Sequence, residues 1–149
     1  MDEKTILLVE DNPDDEVLTL RALRKNNIHN EVIVVHDGAE ALDFLWGTGT
    51  YAKNDNHVAP AFVLLDLKLP KIDGLEVLKR LRNDDRTRVL PVIILTSSNE
   101  EQDILDSYHF GANSYIRKPV EFESFVEAAG RIGRYWLNTN VSPPTPGET

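Results

Sequence analysis

Hydrophobic positions along the chain gather into five short runs separated by longer mixed stretches: Thr5–Glu10 (TILLVE), Glu31–His36 (EVIVVH), Ala61–Asp66 (AFVLLD), Pro91–Thr96 (PVIILT) and Asn113–Arg117 (NSYIR). Three of these runs are nearly unbroken Val, Ile and Leu. A strand covered on one face alternates apolar with polar residues, whereas an unbroken run suits a strand covered on both, as in a parallel sheet. Between the runs the spacing changes, and Leu75, Leu78 and Leu81 recur at helical intervals. The helix starts are marked. Asn12 followed by Pro13 reads as an N-cap with proline at the first helical position. Asp37 with Glu40, Asp73 with Glu76, and Ser98 with Glu101 each read as a capping box. Strand then helix, repeated five times, predicts an α/β fold with a parallel sheet and right-handed crossovers.

The spacing predicts a last helix over 122–137. Phe122, Phe125, Val126, Ala129, Gly133 and Trp136 fall on one of its faces, which reads as core packing. Tyr135 lies off that stripe and is expected to be exposed and available to a partner. The stretch Gly47–Ala59 has no apolar periodicity and reads as a long loop pinned by Tyr51. One folded domain over 1–138 and a Pro-rich, flexible tail over 139–149 complete the expected organisation.

Composition narrows the classes of function. Among 149 residues, 16 Lys and Arg face 25 Asp and Glu, a net charge of −9. This argues against nucleic acid as a partner, since phosphate binding needs a basic face. The absence of Cys removes disulfides, thiolate zinc sites and a Cys nucleophile. No apolar run is long enough to span a membrane, and two acids precede the first apolar run, unlike a secretory signal. A cytoplasmic location, away from membranes, is expected. The four His are scattered without metal-ligand spacing.

In an open parallel sheet, ligands bind outside the carboxyl ends of the strands. There the chain places Glu10 and Asp11, Asp66, Thr96 and Lys118. Carboxylates brought together repel one another unless a cation intervenes. Oxygen-only ligands favour Mg²⁺, which keeps several waters and takes one or two carboxylates plus phosphate oxygens. A carboxylate beside such a cation can attack phosphorus and become an aspartyl phosphate. Transfer then needs in-line positioning and neutralisation of the phosphoryl oxygens, one by the metal, one by Lys118 and one by Thr96 with nearby backbone N–H groups. Each residue alone has a plainer reading: Asp66 a helix cap, Glu10 and Asp11 acids at a helix dipole, Thr96 a turn former, Lys118 a surface cation. Their conjunction at strand ends outweighs those readings.

At these residues the chain resembles the receiver domains of two-component response regulators. The matching stretches are ILLVEDNPDD (Ile6–Asp15), LLDLKLPKIDG (Leu64–Gly74), ILTSS (Ile94–Ser98) and GANSYIRKP (Gly111–Pro119), in order and spanning about Lys4 to Leu137. The resemblance implies a doubly wound, flavodoxin-like fold: a five-stranded parallel sheet of order 2-1-3-4-5 flanked by five helices. It implies Asp66 as phosphoacceptor and Asp11 as a direct Mg²⁺ ligand, with Mn²⁺ as a substitute. Glu10 would assist through water, and Lys68 would offer its backbone carbonyl to the metal. Thr96 would contact the phosphoryl group and Lys118 pair with it, while Tyr115 occupies the aromatic switch position. The Lys118–Pro119 bond would be cis. Phosphorylation would draw Thr96 inward, let Tyr115 rotate, and remodel the face of the fourth helix, fifth strand and fifth helix. The chain would not be an enzyme beyond catalysing its own phosphorylation and dephosphorylation.

Little chain follows the last helix, so output is expected through protein contacts. The Tyr51 loop and the ending Arg134-Tyr135-Trp136-Leu137 resemble those of single-domain regulators paired with bacterial phytochrome kinases. That resemblance implies a sensor histidine kinase as partner and a homodimer through the fourth helix, fifth strand and fifth helix. Other readings are weaker. A phosphohydrolase of the Asp-x-Asp type would need an acid where Lys68 stands. A flavin or nucleotide carrier would need a Gly-rich phosphate cradle where the acidic turn EDNPDD stands. A binding module with an unused phosphorylation site keeps every site residue and differs only in behaviour.

Overall fold

The computed structural model describes residues 4–52 and 59–144. Its five strands are β1 (Ile6–Val9), β2 (Val32–Val35), β3 (Phe62–Leu65), β4 (Val92–Thr96) and β5 (Ser114–Arg117). They form one parallel sheet of order β2-β1-β3-β4-β5. The helices are α1 (Pro13–Lys25), α2 (Gly38–Trp46), α3 (Gly74–Arg82), α4 (Glu101–His109) and α5 (Phe122–Gly133), with a π-helical extension over Arg134–Thr139. Sheet, order and helix count match the fold read from the sequence.

The unbroken apolar strands are explained by cover on both faces. Ile6, Leu8, Phe62, Leu64, Ile93 and Leu95 pack with residues of α1 and α5. Leu7, Val9, Val63, Leu65, Val92 and Ile94 point the other way, to α2 and α3. Burying each such side chain contributes on the order of 2 kcal/mol, so both layers are held by the same strands. No helix of the described residues is long and apolar enough to cross a membrane.

Local signals set most boundaries. Asn12 caps α1, its side chain accepting from the backbone N–H of Asp14 and Asp15 at 2.9 and 3.1 Å. Asp37 and Asp73 accept from Glu40 and Glu76 N–H, as expected of capping residues. The return bond of Glu40 goes to the N–H of His36 rather than of Asp37. The box expected at Ser98 is corrected: α4 starts at Glu101 with Glu100 at the cap position and no side-chain cap. Ser98 Oγ is engaged elsewhere, accepting from Glu100 N–H and donating to Asp103 at 2.6 Å. Along the last helix Phe125, Ala129 and Gly133 are buried and Tyr135 is 49% exposed, as the stripe predicts. Ile132 and Leu137 are buried as well.

Tyr51 ends a short 3₁₀ turn (Gly49–Tyr51), donates to Glu40 Oε2 at 2.9 Å and stands edge-on to Phe44. The rest of the expected loop, 53–58, and the end of the tail, 145–149, lie outside the described residues. No described peptide bond is cis, so the expectation for Lys118–Pro119 is corrected to trans; the two forms of an X–Pro bond differ by only about 0.5–1 kcal/mol, and surroundings decide between them.

Candidate functional site

Strand register brings the site together. Val9 pairs with both Val35 and Leu65, so the residues that follow, Glu10 and Asp66, leave adjacent strands side by side. Asp66 N–H donates to Val9 carbonyl at 3.2 Å and Glu10 N–H to Val35 carbonyl at 3.0 Å, extending the ladder by one residue. Thr96 pairs with Arg117, and the next N–H, that of Lys118, donates to the Thr96 carbonyl at 2.7 Å. Gly74 then allows α3 to begin directly over β3, because a Cβ there would run into the Asp66 carbonyl oxygen and the Leu67 Cα. The glycine is required by close approach rather than by an unusual φ.

Lys118 is the centre of the arrangement. Its side chain is 6% exposed, and its ammonium donates to Glu10 Oε1 at 2.6 Å, Asp66 Oδ2 at 2.9 Å and Asp15 Oδ2 at 3.0 Å. Glu10 and Asp66 are 2% and 8% exposed. Burial works against the Lys118 ammonium, but its bonds to Glu10, Asp66 and Asp15 outweigh burial and raise it above the ordinary lysine value. Burial likewise pushes the Glu10 carboxyl up, to about 7, against the pull of Lys118. These two shifts oppose each other across one bond. The 2.6 Å contact to a raised ammonium is that of an ionised pair, and we take Glu10 as charged wherever that bond is made.

Oxygens of Glu10, Asp15 and Asp66 lie within 4.8 Å of one another. Hard, oxygen-only donors at this spacing suit Mg²⁺ or Mn²⁺ and offer nothing to a thiophilic metal. Asp11 is exposed and lines the same open cleft, about 620 Å³, as Asp66, Lys68 and Thr96. The neighbours Glu10 and Asp11 therefore divide, one turned into the sheet edge and one toward solvent. Lys68 is exposed, and its N–H approaches Asp66 Oδ1 at 3.4 Å. Thr96 is 1% exposed, its Oγ accepting from Ser98 N–H at 3.4 Å. Tyr115 is half-buried and donates to the Ser98 carbonyl at 3.0 Å; burial is the main cause that raises its phenol.

Every site residue singled out from the sequence thus lies at one edge of the sheet, with Tyr115 set back from it on β5, the strand that leads into Lys118. Sequence reasoning missed Asp15. In the sequence it is the second of three consecutive acids in a first helical turn, where an acid ordinarily complements the dipole. The available signal was the Asn12 cap, which starts α1 at Pro13 and sets that turn directly after the end of β1.

Residues 6–130 match the response regulator receiver domain. Response regulator Rcp1 of Synechocystis is 36% identical over 140 residues, covering 94% of this chain and 93% of Rcp1. The structure of the Mn²⁺-bound form of Rcp1 superimposes with a TM-score of 0.85, over 95% of this chain and 99% of that one. The phosphorylated cyanobacterial phytochrome response regulator RcpA is 38% identical, with a TM-score of 0.88 over 96% of this chain and all of RcpA. The bacteriophytochrome response regulator AtBRR is 49% identical, with a TM-score of 0.77 over 97% of this chain and 99% of AtBRR. With sheet order, strand-end chemistry and sequence in agreement along almost its whole length, the chain belongs to the response regulator receiver domain family.

Proposed function

We propose that this protein is a phosphorylation switch in which Asp66 accepts a phosphoryl group from a sensor histidine kinase of the phytochrome type. The observation that carries the reading is the ammonium of Lys118 held 2.9 Å from the Asp66 carboxylate on a buried edge. A carboxylate oxygen of Asp66 attacks phosphorus, the P–N bond of the donor phosphohistidine breaks, and its electron pair and a proton stay with the imidazole. Lys118 exchanges a carboxylate partner for a phosphoryl oxygen and so holds charge that has arrived from outside. The Thr96 hydroxyl leaves the Ser98 N–H and donates to another phosphoryl oxygen. Glu10, Asp11, Asp66 and the Lys68 carbonyl would hold Mg²⁺, or Mn²⁺ in its place, and the ion would supply neutralisation of phosphoryl charge.

The signal leaves by way of Ser98. Its N–H contacts Thr96 and its carbonyl accepts from Tyr115, so movement of the threonine bears on this ring of β5. Leu105, Tyr108 and Tyr135 stand exposed on that side, beside a groove lined by Ile116, Ile132 and Trp136. This face serves as the dimer contact of the switched state, in a cytoplasmic protein that works by contacts rather than by turnover. The similarity to RcpA and AtBRR supports the phytochrome-type kinase.

Intact mass after incubation with acetyl phosphate and Mg²⁺ tests the reading. The wild type gains one phosphoryl group, and the gain is absent with EDTA and in Asp66→Asn. Light scattering of the same samples shows dimer in the labelled one. No gain in the wild type, under conditions that label another receiver, sinks the proposal.

A further inference from the structure

Lys118 is saturated. An ammonium has three N–H donors, and here all three are given to carboxylates, those of Glu10, Asp66 and Asp15. A phosphoryl oxygen can gain Lys118 only if one of the three lets go. Asp66 is the group being modified. Glu10 is 2% exposed, and leaving its carboxylate buried without a cation is costly. The Asp15 side chain is 32% exposed and can return to water at little cost. Its backbone stays fixed meanwhile, its N–H held by the Asn12 cap at 3.1 Å and its carbonyl accepting from Thr19 Oγ at 2.8 Å.

We infer that Asp15 is a positioning residue that holds Lys118 in the resting state and must release it before Asp66 is phosphorylated, so that it slows the reaction. The inference rests on the function proposed above and adds a residue to it. Asp15 opposes phosphorylation in two ways of the same sign. It occupies a donor that the phosphoryl group needs, and its charge repels an anionic donor approaching the cleft.

The test is the labelling rate with acetyl phosphate at saturating Mg²⁺, read by intact mass. Asp66 Oδ attacks phosphorus, the P–O bond to the acetyl group breaks, and acetate leaves with the electron pair. Asp15→Asn and Asp15→Ser are measured together, so that a folding defect peculiar to one is recognised by disagreement with the other and with its melting curve. Both label about fivefold faster than wild type, the size of effect expected when a partly exposed ion pair is removed. Asp14→Asn is the control. Asp14 is exposed in the same helical turn and carries the same charge, and it labels at the wild-type rate.

Equal or slower labelling of the Asp15 variants overturns the inference, as does an equal acceleration in Asp14→Asn, which would assign the effect to general charge. Mg²⁺ binding measured calorimetrically without phosphodonor separates one more role. A loss of more than about tenfold in Mg²⁺ affinity in Asp15→Asn would make Asp15 a metal ligand and overturn it too. If the wild type takes no label, the underlying function fails first; if the wild type labels and the variants do not differ from it, only the role of Asp15 fails.

Discussion

Two cations lie at opposite edges of the sheet, and their partners differ in kind. At the carboxyl edge Lys118 meets three carboxylates. At the amino edge, where β4 and β5 begin, the guanidinium of Arg82 reaches over from the end of α3. It donates to the carbonyls of Gly111, Thr87, Arg88 and Leu90 and to Asn113 Oδ1, all neutral, at 2.8–3.3 Å. No carboxylate pairs with it among the described residues, and burial lowers its guanidinium from the ordinary value. Asn113 Oδ1 also accepts from Val92 N–H, so one cation ties α3 to the starts of two strands. Backbone carbonyls cannot be exchanged for another ligand, and Arg82 is therefore a staple. Carboxylates can give way to a metal or a phosphoryl group, so Lys118 belongs to a centre whose charge can be rearranged.

The comparison predicts different responses to losing each cation. Lys118→Met should cost the most, about 3 kcal/mol in chemical denaturation, because two buried carboxylates lose their cation. The ammonium is raised in the folded state, so its contribution is fully present below the unfolded lysine value of about 10.4 and is lost only as pH rises through the higher folded one. Burial already pushes the Glu10 carboxyl up to about 7 against the pull of Lys118, and without that pull it rises further. The deficit should therefore grow as pH rises from about 7 to 9. Millimolar Mg²⁺ should restore more than half of it, by binding the folded state selectively; no restoration would mean that the carboxylates do not act as a metal site.

Arg82→Met should cost about 2 kcal/mol, from carbonyls left without donors. Mg²⁺ should do nothing for it, and the folded variant should still be labelled on Asp66. Rescue by Mg²⁺ would break the distinction between the two edges.

The smallest effect belongs to a third cation, Arg86, which pairs with Asp84 at the surface through two bonds of 2.8 and 2.9 Å. Side-chain and backbone bonds from Arg86 hold the Asp84 carboxyl down, at about 2. A depressed carboxyl contributes stability above its unfolded value, near 3.9, that is lost as pH falls through the folded one. Asp84→Asn should therefore be less stable than wild type at pH 7 by about 0.5 kcal/mol, the worth of a solvent-screened pair. The gap should close toward pH 2, and an NMR titration of Asp84 with its midpoint near 4 would contradict it.

Much of the site was legible because its residues sit where strands end, and strand ends are marked locally. The break from Val9 to Glu10, or from Leu65 to Asp66, is visible as the last apolar residue before an acid. Ser98 shows the opposite case. Its spacing to Glu101 fits a capping box, yet its hydroxyl is drawn to Asp103 and the helix begins without a side-chain cap. Local spacing shows what a side chain could bond to, and competition among partners decides what it does bond.

By itself the sequence determined the five covered strands, the helices between them, the sheet order through its motifs, and the edge to which the chemistry belongs. These follow from periodicity and capping, which act over a few residues. Only the tertiary structure decided that Glu10 turns inward while Asp11 faces solvent, that Lys118–Pro119 is trans, and that Asp15 meets Lys118 across 103 residues of chain. Those outcomes depend on register, side-chain direction and the sharing of one ammonium among carboxylates, and no short stretch of sequence contains all the groups that compete for it.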